Sequence, residues 1–278
     1  MEKNYLSIWA LENKKMSVNN FTDRLAKCYS GVVHDIMRDD GHKNFTLPPS
    51  IKPCKNNHVL AGQIFTMEGL VDKTLNHHET LLAWTGFLSK APNNKVIICQ
   101  PNNHEIALMG ELSAETLQLK GVRGYIVDGG ARDIDFTLKI DFPLWCSFYT
   151  PRDVVGYWKP TSFEQTIKIG DTIIHNNDYV LADIDGVVII PQNIIEDIII
   201  RSEKLINTEI IDLSEIQNIN ETSYGLYPTV GENLDYIKTN NLKIEFLYRK
   251  LDQFSWQYCN KGFFNFKNYI PKIITTFN

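Results

Sequence analysis

The centre of the chain constrains the fold more than any other part. "EIALMG" (105–110), "ELSAETLQLK" (111–120) closed by Gly121, "GYIVD" (124–128) and, past two glycines, "RDIDFTLKID" and "FPLWCSFY" alternate short apolar runs with segments of helical spacing. Neighbouring parallel strands need a crossover, which a helix usually supplies. The alternation therefore predicts an α/β fold, with parallel strand pairs and helices packed against the sheet. Gly121 stands where a residue of free left-handed conformation ends a helix.

The flanks extend this pattern. "MSVNNFTDRLAKCYSGVVHDIMRD" reads as one or two short helices interrupted near Gly31, and "HVLAGQIFTMEGLV" as a strand with Gly62 marking a turn or bulge. "HETLLAWTGFLSK" has helical spacing, and "KVIICQ" is a compact strand. From about residue 165 strands dominate: "TIKIGDTIIH", the turn "NND", then "YVLADIDGVVIIP", followed by the amphipathic helix "NIIEDIIIRSEKLINTEIIDL". The expected division is an arm over 1–16, one domain over 17–213, and a C-terminal extension over 214–278 rich in Asn, Lys and aromatics.

Composition narrows the function. Across 278 residues the net charge is −5, so there is no overall basic field for nucleic acid. The first residues mix charges into apolar positions, and no stretch approaches the length of a membrane span, which leads us to expect a soluble, cytoplasmic protein. The five cysteines are scattered and never spaced C-x-x-C, so they read as reduced thiols, mostly small core residues, rather than a disulfide framework or zinc site.

Several chemistries lack their residues. There is no phosphate-binding G-x-x-x-x-G-K-[ST] or G-x-G-x-x-G, and neither "HHETLL" nor "HEIALMG" completes H-E-x-x-H. "DIDG" (183–186) resembles part of a calcium loop, but the position of the required bidentate acid falls on Gln192, so the stretch reads as a turn between strands. Cys28 near His34 reads as a core thiol and a surface histidine.

The central block is different. "MGELSAETL" opens a helix, so the backbone N–H groups around Gly110, Glu111, Leu112 and Ser113 are free to bind a carboxylate, and Gly110 permits close approach. About twenty residues on, "VDGGARD" places Arg132 and Asp133 at the start of the next element. Arg132 offers a planar fork suited to a carboxylate or enolate, and Asp133 a hard oxygen suited to Mg²⁺ or Mn²⁺. Spacing alone leaves two readings open. Asp128 and Asp133 could simply shape a turn and a helix start, with Arg132 as a solvated partner, or the two segments could together hold a chelating 2-oxo acid.

"GELSAETLQLKGVRGYIVDGGARD" resembles the RraA-like family, which includes 4-hydroxy-4-methyl-2-oxoglutarate aldolases and the regulator of RNase E activity. Weaker likeness in "AGQIFTM", "FPLWCSFYTPRD" and "DYVLADIDGVVIIP" extends it over residues 17 to about 213. The resemblance implies a swivelling β/β/α three-layer domain, assembled as a homotrimer or homohexamer with sites near subunit interfaces. It assigns substrate binding to Gly110, Glu111, Leu112, Ser113 and Arg132, and a divalent metal, Mg²⁺ before Mn²⁺, to Asp133. Glu111 matches an acid beside the metal's water shell, and Glu209 an acid supplied by a neighbouring subunit. "APNNKV" and "HNNDYV" depart from the family's Pro-Gly-Asp turns, though Asn also accepts left-handed backbone.

The implied activity is that of a metal-dependent carbon–carbon lyase, an aldolase or oxaloacetate decarboxylase, acting on a small 2-oxo acid through a pyruvate enolate, with Arg132 and Glu111 as catalytic groups. The alternative is a non-catalytic regulatory module that binds protein on the same scaffold. Presence of Arg132, Asp133 and the Gly-Glu-Leu turn together favours catalysis.

Overall fold

The computed structural model describes residues 20–218, with side chains through residue 207, and three short strands beyond them. The arm expected over 1–16, most of the extension expected over 214–278 and the Glu209 side chain lie outside the described residues. Two compact units part between Glu203 and Lys204.

In the first unit a helical stretch over 20–25 precedes α1 (Ser30–Asp39). Then follow β1 (Lys52–Pro53), β2 (Leu60–Val71), α2 (His77–Lys90), β3 (Val96–Gln100), α3 (Glu111–Leu119), β4 (Gly124–Val127), β5 (Gly130–Ala131) and α4 (Ile134–Lys139). After these come β6 (Leu144–Cys146), β7 (Phe148–Tyr149), β8 (Trp158–Phe163), β9 (Ile167–Ile169), β10 (Thr172–Ile174), β11 (Tyr179–Ala182), β12 (Val187–Ile190) and α5 (Ile195–Asn218), within which the unit boundary falls. In the second unit Tyr224–Leu226, Phe246–Lys250 and Ser255–Cys259 form an antiparallel three-stranded sheet.

The main sheet is mixed, in the order β1-β6-β4-β3-β2-β11-β12, with β8 also paired to β2. β2, β3, β4 and β6 run parallel, as the alternation of strands and helices predicts. The β11–β12 hairpin adds antiparallel at β2. The parallel centre is buried on both faces, which is why "VIIC" and "GYIV" read as unbroken apolar runs.

Alternate residues feed two cores. Phe65, Ile97, Cys99, Tyr125, Val127 and Leu144 face the helices, meeting Trp84 and Phe87 of α2 and Ala114 and Leu117 of α3. Ile64, Val96, Ile98, Ile126 and Trp145 face the other way, onto Ile167, Ile169 and Ile174 of the β9–β10 hairpin. One face of the sheet is thus covered by helices and the other by β-structure.

Local chemistry explains several boundaries. Asn76 and Glu79 form a reciprocal capping box at the start of α2, each side chain accepting the other's backbone N–H at 2.9 Å. The turn Asp183 to Gly186 joins β11 to β12, and its buried Asp183 carboxylate accepts N–H groups of Ser30, Asp185 and Gly186 and the Ser30 hydroxyl. The helical break near the N-terminus falls at 26–29, and Gly31 lies just inside α1.

Two expectations shift. Gly62 sits in regular pairing with Val180, and the irregularity in β2 falls at Glu68/Gly69 instead. A Cβ on Gly69 would stand 1.9 Å from the Trp158 ring, so the glycine makes room for a buried indole. "EIALMG" is not a sheet strand: apart from an Ala107–Gly130 bridge it pairs with loops. Its Ile106, Ala107, Leu108 and Met109 are buried as a strand's would be, but Ala107 N donates to Arg152 O, and Leu108 N to Gly130 O.

Candidate active site

The stretch 106–109 zips onto the loop that carries Arg132. Gly130 N donates to Ile106 O at 3.1 Å, Leu108 N to Gly130 O at 2.8 Å, and Arg132 N to Met109 O at 2.9 Å. A Cβ on Gly130 would lie 2.6 Å from Ile106 O, so glycine is what allows the two backbones to meet. On the far side Ser147 N donates to Gly129 O, and Ser147 Oγ to Asp128 Oδ1. Asp128 is therefore a loop-shaping acid.

This zipper brings the N-terminus of α3 against Arg132 and Asp133. Gly110 caps α3 in extended backbone (φ −153°), a conformation open to any residue, so its role is space. Glu111 N donates to Asp133 Oδ2 at 3.2 Å. The N–H groups of Leu112 and Ser113, in the first turn, have no partner within the helix and carry its positive end. Leu112 is 77% exposed, and the hydrogen-bonding group it offers the site is its backbone N–H. Ser113 Oγ accepts the Trp84 indole N–H at 2.8 Å, which leaves its own O–H as a donor.

Asp133 holds a left-handed conformation (φ 53°, ψ 40°), which Asp tolerates better than most residues. Its carbonyl caps α4, accepting from Phe136 N and Thr137 N at 3.1 Å, while its side chain turns back toward α3. Arg132 Nε lies 3.4 Å from Asp133 Oδ2, and Arg132 Nη1 donates to Asp153 Oδ2 at 3.2 Å. Asp153 Oδ1 is fixed by Val155 N–H at 3.1 Å.

Gly110, Glu111, Leu112, Ser113, Arg132 and Asp133 all line one cavity of about 530 Å³. Leu81, Trp84 and Leu88 of α2 form its apolar wall, and Asp153 to Val155 close another side. Sequence reasoning did not single out Asp153 or the α2 wall. An Arg-Asp pair following a proline in "TPRD" was the available signal for Asp153.

The donor set suits one kind of metal site. Among the described residues no three His, Cys, Asp or Glu side chains converge. Asp133 nonetheless presents a hard-oxygen carboxylate to the cavity, with Oδ1 free of hydrogen bonds among the described residues. Mg²⁺ commonly binds through one or two carboxylates while keeping waters and substrate oxygens, so Asp133 fits such an ion, whereas an all-protein cage is not built here.

Residues of the motifs set aside above have structural duties. Glu105 accepts from Arg152 Nη1 at 2.8 Å and Tyr157 OH at 3.0 Å; the tyrosine hydroxyl first, then Arg152, holds its carboxyl below the usual range. The Cys28 thiol is buried against Arg24 O, while the His34 ring packs on Phe45. No helix among the described residues is long and apolar enough to cross a membrane.

Comparison with known proteins follows the same block. The sequence pattern of the RraA-like family, described as Aldolase/RraA, matches residues 30–189. The chain is 23% identical over 225 residues to protein DlpA of Legionella pneumophila, covering 77% of this chain but only 35% of DlpA. It is 24% identical over 168 residues to a Halalkalibacterium halodurans protein provisionally named 4-hydroxy-4-methyl-2-oxoglutarate aldolase, covering 59% of this chain and 74% of that one. Among solved structures, Streptomyces coelicolor RraAS2, an unusual member of the RNase ES inhibitor RraA family, shares the fold with a TM-score of 0.63 at 18% identity, covering 71% of this chain and 98% of that one.

Proposed function

Since the chain belongs to the RraA-like (Aldolase/RraA) family, we propose that its cavity is the active site of a divalent-metal-dependent carbon–carbon lyase acting on a small 2-oxo acid. The observation that carries this reading is the meeting of three groups in one cavity: the open N-terminus of α3, the Arg132 fork, and a carboxylate at Asp133 with one oxygen unengaged. A solvated turn would need none of these to converge. The aldolase name of the Halalkalibacterium relative points the same way.

The substrate carboxylate is bound by the N–H groups of Leu112 and Ser113 and by the Ser113 hydroxyl. A divalent ion, Mg²⁺ or Mn²⁺, held by Asp133 would supply Lewis-acid polarisation of the 2-oxo acid. Arg132 lies beside Asp133 and donates to the keto oxygen as negative charge grows there. Asp153 holds the guanidinium in that orientation.

In retro-aldol cleavage of a 4-hydroxy-2-oxo acid, Glu111 accepts the 4-hydroxyl proton, directly or through one water. The C3–C4 bond breaks, its electron pair forms the pyruvate enolate, and a new carbonyl leaves. In oxaloacetate the same bond breaks with loss of CO₂ and needs no base. Protonation at C3 then gives pyruvate in both cases. The apolar wall of Leu81, Trp84 and Leu88 suits the methyl or methylene carbons of such substrates.

We assign the site to a homotrimer or homohexamer on the family pattern. The deciding assay measures pyruvate from oxaloacetate and from 4-hydroxy-4-methyl-2-oxoglutarate, with Mg²⁺ and with chelator. Chelator-sensitive release from either supports the lyase. Absence of metal-dependent release from both overturns it and leaves a non-catalytic regulator as the reading.

A further inference from the structure

The structure brings together two thiols that the active-site chemistry does not use. Cys54 directly follows β1, where its N–H donates to Leu144 O at 2.8 Å, and Cys146 ends β6 opposite Lys52. The two side chains therefore lie diagonally across one face of the antiparallel β1–β6 pair, against the helix-side core. Their sulfurs are 3.7 Å apart, and both are free thiols. A disulfide needs about 2.05 Å, so bridging requires side-chain rotation together with approach of the two neighbouring strands.

The two cysteines are unequal. Cys146 is 4% exposed, whereas Cys54 is only partly buried, packed at the edge of the core. The hydrogen bond between the two sulfurs, with a second from Tyr149, holds the Cys54 thiol below its ordinary value, and the same bond together with burial pushes Cys146 up. By contrast burial first, with the Asp128 and Glu68 charges adding to it, pushes the Cys99 thiol up to about 12, and Cys28 is raised by burial first. Reactivity follows the thiolate, so one cysteine of the pair is the better nucleophile and the other stands ready to resolve its product.

We propose that Cys54 and Cys146 form a redox-active dithiol that closes to a reversible disulfide when the protein meets a peroxide. The Cys54 thiolate attacks one peroxide oxygen, the O–O bond breaks, and Cys54 becomes a sulfenic acid while the expelled hydroxide takes up the proton the thiol had released and leaves as water. The Cys146 sulfur then attacks the Cys54 sulfur, the S–O bond breaks, and a second water leaves with the Cys146 proton. Together the two thiols give up two electrons and two protons, and one hydrogen peroxide is reduced to two waters. The bridge would end one residue before Ser147, whose N–H and hydroxyl hold Gly129 and Asp128 in the loop that carries Arg132.

The test treats the full chain with hydrogen peroxide, alkylates the remaining thiols and maps the cysteine peptides by mass spectrometry. The expected product is a Cys54–Cys146 cross-link, a loss of about 2 Da, reversed by a dithiol reductant. In a C146S variant Cys54 is expected to accumulate as a sulfenic acid trapped by dimedone. Recovery of both cysteines alkylated in the wild-type chain, or of Cys54 over-oxidised without a bridge, overturns the proposal. The mapping reads chemistry at the sulfurs alone, so its outcome is independent of whether the chain is a lyase.

Discussion

Gly110 presents a bare α-carbon to the Asp133 carboxylate: a Cβ at position 110 would stand 2.7 Å from Asp133 Oδ2 and 3.1 Å from Arg132 Cγ. The site is therefore packed around a missing methyl group. Gly110→Ala is allowed by the backbone but must push Asp133 or Arg132 aside. Displacements on the order of 1 Å cost about 10²-fold in rate, so we expect a loss of that size in pyruvate release with little change in thermal unfolding. Wild-type turnover in this variant would sink the packing argument.

Asp133→Asn tests the carboxylate without disturbing the chain, because Asn also accepts a left-handed φ. Removal of the charge is expected to abolish Mg²⁺ binding in a calorimetric titration and to reduce turnover by roughly 10²-fold or more. A variant that still binds Mg²⁺ at the wild-type stoichiometry would show that the metal is held elsewhere.

Asp153 is a positioning residue, since it acts through the Arg132 guanidinium at 3.2 Å. Both side chains are about 40% exposed, so solvent screening limits the pair to on the order of 1 kcal/mol, roughly fivefold. Asp153→Asn is expected to lower kcat by about that factor with KM little changed. An effect on KM alone would place Asp153 in binding rather than in orientation of Arg132.

Acid stability offers a check away from the site. Lys55 first, and His58 second, hold the Asp141 carboxyl down from its ordinary 3.8 to about 2. A depressed folded-state value means that the ionised acid stabilises the fold above its ordinary pKa, and that this contribution fades as pH falls through about 2. Asp141→Asn, at a left-handed position that Asn tolerates, should therefore show a flatter acid limb between those values in circular dichroism. Superimposable curves would argue that the Lys55–Asp141 pair contributes nothing.

Much of this is legible in the sequence, for reasons tied to particular residues. The apolar runs at Val96–Gln100 and Gly124–Val127, separated by the helical spacing of Glu111–Leu119, admit little besides a parallel pair with a crossover. Gly121, at positive φ, marks a helix end through contacts only a few residues long, whereas the Asn76–Glu79 capping box, equally local, was not read from the sequence. The segment 105–110 misled because burial and strand pairing look alike in a one-dimensional pattern. Its apolar residues are buried, yet its backbone pairs with loops that are distant in sequence.

By itself the sequence determined the α/β alternation, helix ends such as that at Gly121, and the residue types able to hold an anion, an enolate and a hard cation, because each depends on interactions within a few residues. Only the tertiary structure decided that these types share one cavity. Gly110 and Asp133 meet because Gly130 lets the loop zip onto Ile106 and Leu108, and Asp153 reaches Arg132 from twenty-one residues away. The same holds for Cys54 and Cys146, ninety-two residues apart and scattered in the sequence, which become neighbours through the antiparallel register of β1 on β6. Contacts of that kind are set by sheet order and close backbone approach, which no local pattern of residues encodes.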